Sequence, residues 1–272
     1  MKENFLIFID FLKKLYRSRY MLRMLALREL KASYAGSAFG LLWAVFNPLV
    51  YLVVYGIVFG IFFRSAPDPV YGTESYFLFL LCGLVPWQFF SQTINSSAGT
   101  LVKNFSLIKK AVGFPAEILP IVTVISNLIS HLISLALLIL VVVFSAGLTP
   151  FVLLVFVYLF LAAVFSIGLG WIISGINVFL RDIEQMLGLL MMGWLFFTPI
   201  FYSPSFVPAK YLFIMKLNPV YHLVEGYRLA LLTGRALPLA DFAYFATVSL
   251  ITFGVGGVFF RKLKPWFAEF CR

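Results

Sequence analysis

Five stretches of this chain contain no Asp, Glu, Lys or Arg: residues 32–63, 75–102, 118–180, 185–209 and 242–260. Each exceeds the ~18 residues at which an uncharged apolar run reads as a membrane-spanning helix. A span needs about 20 residues at 1.5 Å rise to cross ~30 Å of hydrocarbon, so the third run holds two. Ser145-Ala146-Gly147-Leu148-Thr149-Pro150 marks the turn between them. The predicted spans are Phe39–Phe63, Tyr76–Ser97, Ile118–Phe144, Phe151–Ile176, Gln185–Phe206 and Phe242–Phe260. Composition agrees, because 62% apolar and 12% charged residues cannot cover a soluble surface. A β-barrel would need segments of about ten residues alternating polar and apolar, whereas these runs are apolar on every side. The predicted fold is therefore all-α and integral to the membrane, with six spans.

Orientation follows from the basic residues, which are retained on the cytoplasmic side when they lie near span ends. Sixteen of the 21 Lys and Arg fall on one side: Lys2, Lys13, Lys14, Arg17, Arg19, Arg23, Arg28 and Lys31 before the first span; Lys103, Lys109 and Lys110 in the second loop; Arg181 in the fourth; and Arg261, Lys262, Lys264 and Arg272 at the end. Arg64, Lys210, Lys216, Arg228 and Arg235 fall on the other. Both termini are predicted to be cytoplasmic. The net charge of +10 is then topology and attraction to anionic membrane lipid, with no nucleic-acid partner. The organisation reads as a cytoplasmic amphipathic interface helix region over 1–34, a six-span domain over 35–262 and a cytoplasmic tail over 263–272. Cys82 and Cys271 lie near a span and at the cytoplasmic end, so no disulfide framework is expected.

Catalytic chemistry is sparse. No acid or base of the Asp, Glu, Lys or Arg type lies at hydrocarbon depth, and His131 is the one imidazole there; a lone intramembrane histidine reads first as a hydrogen bond to a neighbouring helix. The chain has no Gly-Lys dipeptide, so the phosphate-cradling Gly-x-x-x-x-Gly-Lys-Ser/Thr loop is missing. No metal or cofactor site is expected in this chain, and energy for uphill transport would come from a partner subunit. A passive channel would have the same appearance.

Four local patterns carry functional readings. Asp10, Lys13, Lys14 and Arg17 recur on one face of a segment from Asn4 to Lys31, an amphipathic helix that either anchors at the lipid interface or carries force from a cytoplasmic motor. The basic loop from Lys103 to Lys110 either docks a partner or merely sets topology. Between Ser203 and Asp241, Tyr211–Leu217 and Val220–Leu232 are too short to cross, and they read as re-entrant half-helices or as a helix pair on the outer surface. Phe39, Trp43, Asn47, Tyr51, Tyr55, Phe59 and Phe63 recur every four residues, and Trp194, Phe196, Phe197, Phe201 and Tyr202 repeat the aromatic theme. Such rings either stack on sugars along a path or belong to interfacial belts. Small residues at Gly56 and Gly60, at Ser166, Gly170 and Ser174, and at Gly168 and Gly175 predict close helix contacts, within one chain or between two.

Three ordered blocks resemble a known family. They are Arg28-Glu29-Leu30-Lys31 with Ser37-Ala38-Phe39-Gly40-Leu41-Leu42-Trp43 and Asn47-Pro48-Leu49; Gly83-Leu84-Val85-Pro86-Trp87-Gln88-Phe89-Phe90-Ser91 with Asn104, Leu107-Ile108-Lys109-Lys110 and Phe114-Pro115-Ala116-Glu117; and Asn177-Val178-Phe179-Leu180-Arg181-Asp182-Ile183 with Thr198-Pro199-Ile200-Phe201-Tyr202, Leu217-Asn218-Pro219 and Glu225-Gly226-Tyr227-Arg228. In order and spacing the chain resembles the membrane subunits of ABC-2 type transporters, among them the exporters of O-antigen, capsule and teichoic acid. The resemblance implies a homodimer in the bacterial inner membrane, each copy paired with a cytoplasmic ABC ATPase that binds ATP and Mg, moving a polyprenyl-pyrophosphate-linked polysaccharide. It implies a substrate path along Trp43, Asn47, Tyr51, Tyr55, Trp194, Phe197, Phe201 and Tyr202. ATPase coupling would fall to Arg28, Lys31, Asn104, Lys109, Lys110, Phe114, Arg181 and Asp182, and an outer gate to Asn218, Pro219, Glu225 and Arg228. An ABC-2 exporter of a small hydrophobic drug or lipid has the same architecture and stands as the alternative.

Overall fold

The computed structural model describes residues 18–33, 36–37, 39–55, 57–58, 68–110, 114–147 and 149–267. Among these residues every regular element is helical. In chain order the elements are α1 (Arg19–Ser33), α2 (Trp43–Tyr55), α3 (Tyr76–Ala98), α4 (Thr100–Lys103), α5 (Phe105–Lys110), α6 (Ile118–Ala146), α7 (Val152–Phe179), α8 (Ile183–Phe197), α9 (Ala209–Lys216), α10 (Pro219–Arg228) and α11 (Leu239–Leu263).

Four of these, α3, α6, α7 and α11, are long and apolar enough to cross a bilayer. Their bounds follow local chemistry. Ser75 caps α3 by accepting from the Leu78 amide at 3.4 Å. α6 ends where Gly147 adopts φ +80°, a left-handed position favouring glycine, and α7 starts at Val152, so the turn falls where the small-residue and proline cluster predicted it.

The other two predicted spans differ. α2 is described as a helix over 13 residues, and the predicted remainder at 59–63 lies outside the described residues. α8 has 15 residues, about 22 Å, and stops at Phe197 where the prediction ran on to Phe206. The reason is Pro199: it has no N–H to continue the helix and forces the residue before it out of the helical region. Thr198 accordingly sits at φ −102°, ψ 131°.

α3 is the central post, packed against α6, α7, α8 and α10. The main core joins these elements around Phe90, whose ring stacks on Phe165 at 5.8 Å between centroids. A second core, around Leu101, Trp171, Phe260 and Phe267, lies at the α1 end, where Leu22 and Leu25 pack on it. The described part of the amphipathic segment, α1, therefore rests against α6; Asn4 to Arg17 lies outside the described residues.

The small-residue spacing resolves into contacts within the chain. A Cβ on Gly168 of α7 would lie 2.5 Å from the Thr252 carbonyl carbon of α11, and one on Gly256 would collide with the Gly168 carbonyl. Apolar helices gain little by associating in lipid unless their backbones approach closely, and these glycines permit that approach. Gly170 faces Ser97 of α3 and Gly175 faces Leu263. Gly56 and Gly60 lie outside the described residues.

Candidate functional site

Two stripes of polar side chains face each other in the middle of the bundle. Gln88, Ser91 and Gln92 share one face of α3 at i, i+3 and i+4, while Asn127, Ser130, His131 and Ser134 share one face of α6 at i, i+3, i+4 and i+7. α2 adds Asn47 and Tyr51, and the three helices line a half-open cavity of about 340 Å³ whose lining contains no Asp, Glu, Lys or Arg. Uncharged amides and hydroxyls in otherwise apolar spans face a bundle interior or a wet cavity because lipid cannot satisfy them. A narrow continuation of about 20 Å³ runs past Tyr51 to Tyr55, whose rings stack at 6.2 Å.

His131 closes one wall. Its Nε2 lies 3.0 Å from the Tyr227 hydroxyl of α10, and its ring lies 5.0 Å from that of Phe89. This is the hydrogen bond to a neighbouring helix expected of a lone intramembrane histidine.

A second assembly, at the far end of the bundle from α1, holds α10 inside it. Every residue from Val220 to Arg228 is buried, so this segment does not lie on the surface of the chain. Arg228 bonds Glu225 at 2.8 Å and donates to the carbonyls of Phe79 (3.3 Å), Pro199 (2.5 Å) and Ile200 (2.7 Å). Its guanidinium lies 3.6 Å over the Phe79 ring, and the Tyr71 hydroxyl donates to the other Glu225 oxygen at 2.8 Å. The break at Pro199 exposes backbone carbonyls at depth, and the arginine satisfies them. Asn218 joins the same region: its Oδ1 caps α10 at Val220 and accepts from Trp194 Nε1 at 2.8 Å, while its Nδ2 donates to Thr198. Pro219 occupies the first turn, where a missing N–H costs nothing. The four predicted outer-gate residues thus fix the two ends of α10: Asn218 and Pro219 hold its start against α8, and Glu225 and Arg228 hold its end against α3 and the carbonyls that follow α8.

The substrate-path residues fall into groups. Asn47 and Tyr51 line the polar cavity and Tyr55 its continuation, while Trp43 packs edge-on to Phe39 and Phe46. Trp194 and Phe197 line a different cavity of about 810 Å³, apolar, between α3, α7, α8 and α9. Phe201 packs on the main core, and the Tyr202 hydroxyl bonds the Phe196 carbonyl at 2.8 Å. Among the described residues of one chain, then, the aromatics of α2 and α8 line separate cavities.

The coupling residues gather at the α1 end. Arg28, Lys31, Lys109, Arg181 and Asp182 are exposed, with Lys109 5.5 Å over the Phe105 ring. Asn104 binds the Thr100 carbonyl at 3.0 Å and ends α4, and half-buried Phe114 packs on the second core. Lys110 is the last residue of α5. A partner-facing surface would draw on the exposed set. Glu29 is a joint the sequence reading passed over: half-buried, it accepts from the Thr123 hydroxyl of α6 at 2.9 Å. Burial raises its carboxyl pKa, opposed by that bond and by Lys103.

Comparison with known proteins fits this geometry. A family model described as ABC-2 type transporter matches residues 20–232. The chain is 32% identical over 266 residues to the O-antigen export system permease protein RfbA of Myxococcus xanthus, covering 96% of this chain and 99% of that protein. It is 30% identical over 265 residues to the protein of the same name from Klebsiella pneumoniae, at 95% and 98% coverage. It is 29% identical over 245 residues to the polysialic acid transport protein KpsM of Escherichia coli, at 87% and 91% coverage. With the helical bundle, the buried α10 and a match over most of its length, the chain belongs to the ABC-2 type transporter family.

Proposed function

We propose that this chain is the permease subunit of an ATP-driven exporter of lipid-linked polysaccharide, working as a homodimer with two cytoplasmic ABC ATPase subunits in the bacterial inner membrane. The observation that carries the reading is the end-to-end likeness to O-antigen export permeases. ATP and Mg are bound by the ATPase, since this sequence has no Gly-Lys dipeptide on which to build a phosphate loop.

In this reading α2 and α8, with their flanking residues, complete six spans, and 1–34 and 263–272 flank the membrane domain on the cytoplasmic side. α9 and α10 form the re-entrant outer pair, an arrangement lipid tolerates only where protein covers the broken backbone, which the burial of α10 supports. α1, seated on α6 through Glu29 and Thr123, transmits ATPase closure to the spans, with Arg28, Lys31, Lys109 and Lys110 facing the partner. The glycan, carried on polyprenyl pyrophosphate, passes along Asn47, Tyr51 and Tyr55, and the α8 aromatics reach that path from the second copy. The 810 Å³ apolar cavity favours one second reading, export of a small hydrophobic molecule.

The test is to tag the chain, extract it from its native membrane in mild detergents and identify by mass spectrometry what co-purifies. A protein with a phosphate-binding loop at near-equal amount is expected, with ATPase activity raised by lipid-linked glycan. Recovery of the chain alone in every detergent would sink the half-transporter reading. Stimulation by small amphiphiles and not by glycan would select the second.

A further inference from the structure

We propose that the polar cavity between α2, α3 and α6 is a binding site for neutral, hydroxyl-rich sugar units of the transported glycan, with Gln88 and Asn127 as its hydrogen-bonding residues. The proposal rests on the exporter reading and adds a site and a substrate preference to it.

Three observations carry it. First, the two facing stripes come from separate spans and converge on one cavity. Chance polar residues on lipid-facing helices would not share faces at helical spacing in both. Second, the lining offers amides and hydroxyls together with the rings of Tyr51, Trp87 and Phe89 and no full charge. That set suits sugar hydroxyls and the C–H faces of pyranose rings, and it leaves a carboxylated sugar without a cation to offset the desolvation of its charge. Third, Asn127 Nδ2 is buried with no hydrogen-bond partner among the described residues. A donor left unmade in this way costs free energy, and rotation of the amide toward the cavity that Asn127 lines would let a bound hydroxyl pair with it.

Depth and size agree. Asn127 to Ser134 lie about 14 to 24 Å along α6 from its start at Ile118, the middle of a 29-residue helix. The 340 Å³ volume falls at the small end of the ~300–1,000 Å³ range of small-molecule sites, enough for a sugar-sized group.

The experiment uses the intact permease–ATPase complex in inverted membrane vesicles. Ser130→Cys is reacted with a charged, water-soluble methanethiosulfonate, with ATP and either a lipid-linked neutral glycan or a lipid-linked polyanionic glycan. Expected is labelling above that of the unsubstituted chain, slowed at least five-fold by the neutral glycan and not by the polyanionic one. Equal labelling with and without glycan, in vesicles that export the neutral glycan, overturns the site and leaves the exporter reading standing. Equal protection by the polyanion overturns the neutral preference, and no labelling at all overturns the site. Vesicles containing the assembled complex that move neither glycan overturn the exporter reading, and the proposal with it. As a second variant, Gln88→Met with Asn127→Leu is expected to lower neutral-glycan export at least ten-fold while the ATPase still co-purifies. Undiminished export in that variant overturns the assigned residues.

Discussion

At the scale of single residues, Arg228 shows how a charge is held where charges are costly. It is fully buried, yet its nitrogens find Glu225 and three backbone carbonyls. Removing one partner of a buried pair leaves the other charge uncompensated, at about 3–5 kcal/mol. Arg228→Met is therefore expected to destabilise the chain by about that amount, measured by denaturant unfolding in detergent. A loss below about 1 kcal/mol would mean that the guanidinium is not what closes the break at Pro199. The sequence placed Glu225 and Arg228 three apart on one face and left a re-entrant and a surface-lying segment both open, and the choice rests on acceptors distant in sequence, at residues 79, 199 and 200. The stripes at 88, 91 and 92 and at 127, 130, 131 and 134 were legible as periodic polar residues inside apolar runs. The aromatic series drew the sequence reading instead, and only the fold brings the stripes face to face.

Between elements, close helix approach and one buried carboxyl set the contacts. Gly168→Ala inserts a methyl group against the α11 backbone, where neither main chain yields cheaply, and is expected to destabilise by about 1–3 kcal/mol. Gly254→Ala on α11, with nothing within 4 Å of the added atom, is the control and is expected to be neutral or slightly stabilising. Equal thermal stability of the two variants in detergent would refute the α7–α11 contact.

The α1–α6 joint makes a pH-dependent prediction. Burial raises Glu29 above the ordinary value of 4.5, so its contribution to docking is full below that value and is lost as pH rises through the raised one. Amide-exchange protection of α1, corrected for intrinsic exchange, is expected to fall in the natural chain as pH rises from below 4.5 through the raised value. Glu29→Gln, which keeps the acceptor for Thr123 without the charge, is expected to flatten that fall. An unchanged profile would remove Glu29 as the titrating group.

For the molecule as a whole, polar and apolar cavities lie on different sides of α3. The polar one opens between α2, α3 and α6, the apolar one between α3, α7, α8 and α9. α8 leaves Met186, Leu189, Leu190, Met192, Phe196 and Phe197 exposed, a face that lipid or a second copy would cover. In the proposed homodimer, α2 of one copy would face α8 of the other across the two-fold axis, bringing together predicted path residues that lie on two sides of one chain.

The sequence by itself determined that the chain is helical and membrane-embedded and where its long spans run. Those properties follow from charge-free length and from local breakers such as Gly147 and Pro199, which act through neighbouring residues alone. The order of three motif blocks also pointed to the family. Only the tertiary structure decided that the segment after Asn218 packs inward and that Glu29 pins α1 to α6. It also decided that Asn47 and Tyr51 share a cavity with Gln88 and Asn127 rather than with Trp194. Each of these depends on partners distant in sequence, because a buried polar group is defined by what reaches it across helices and not by its place along one.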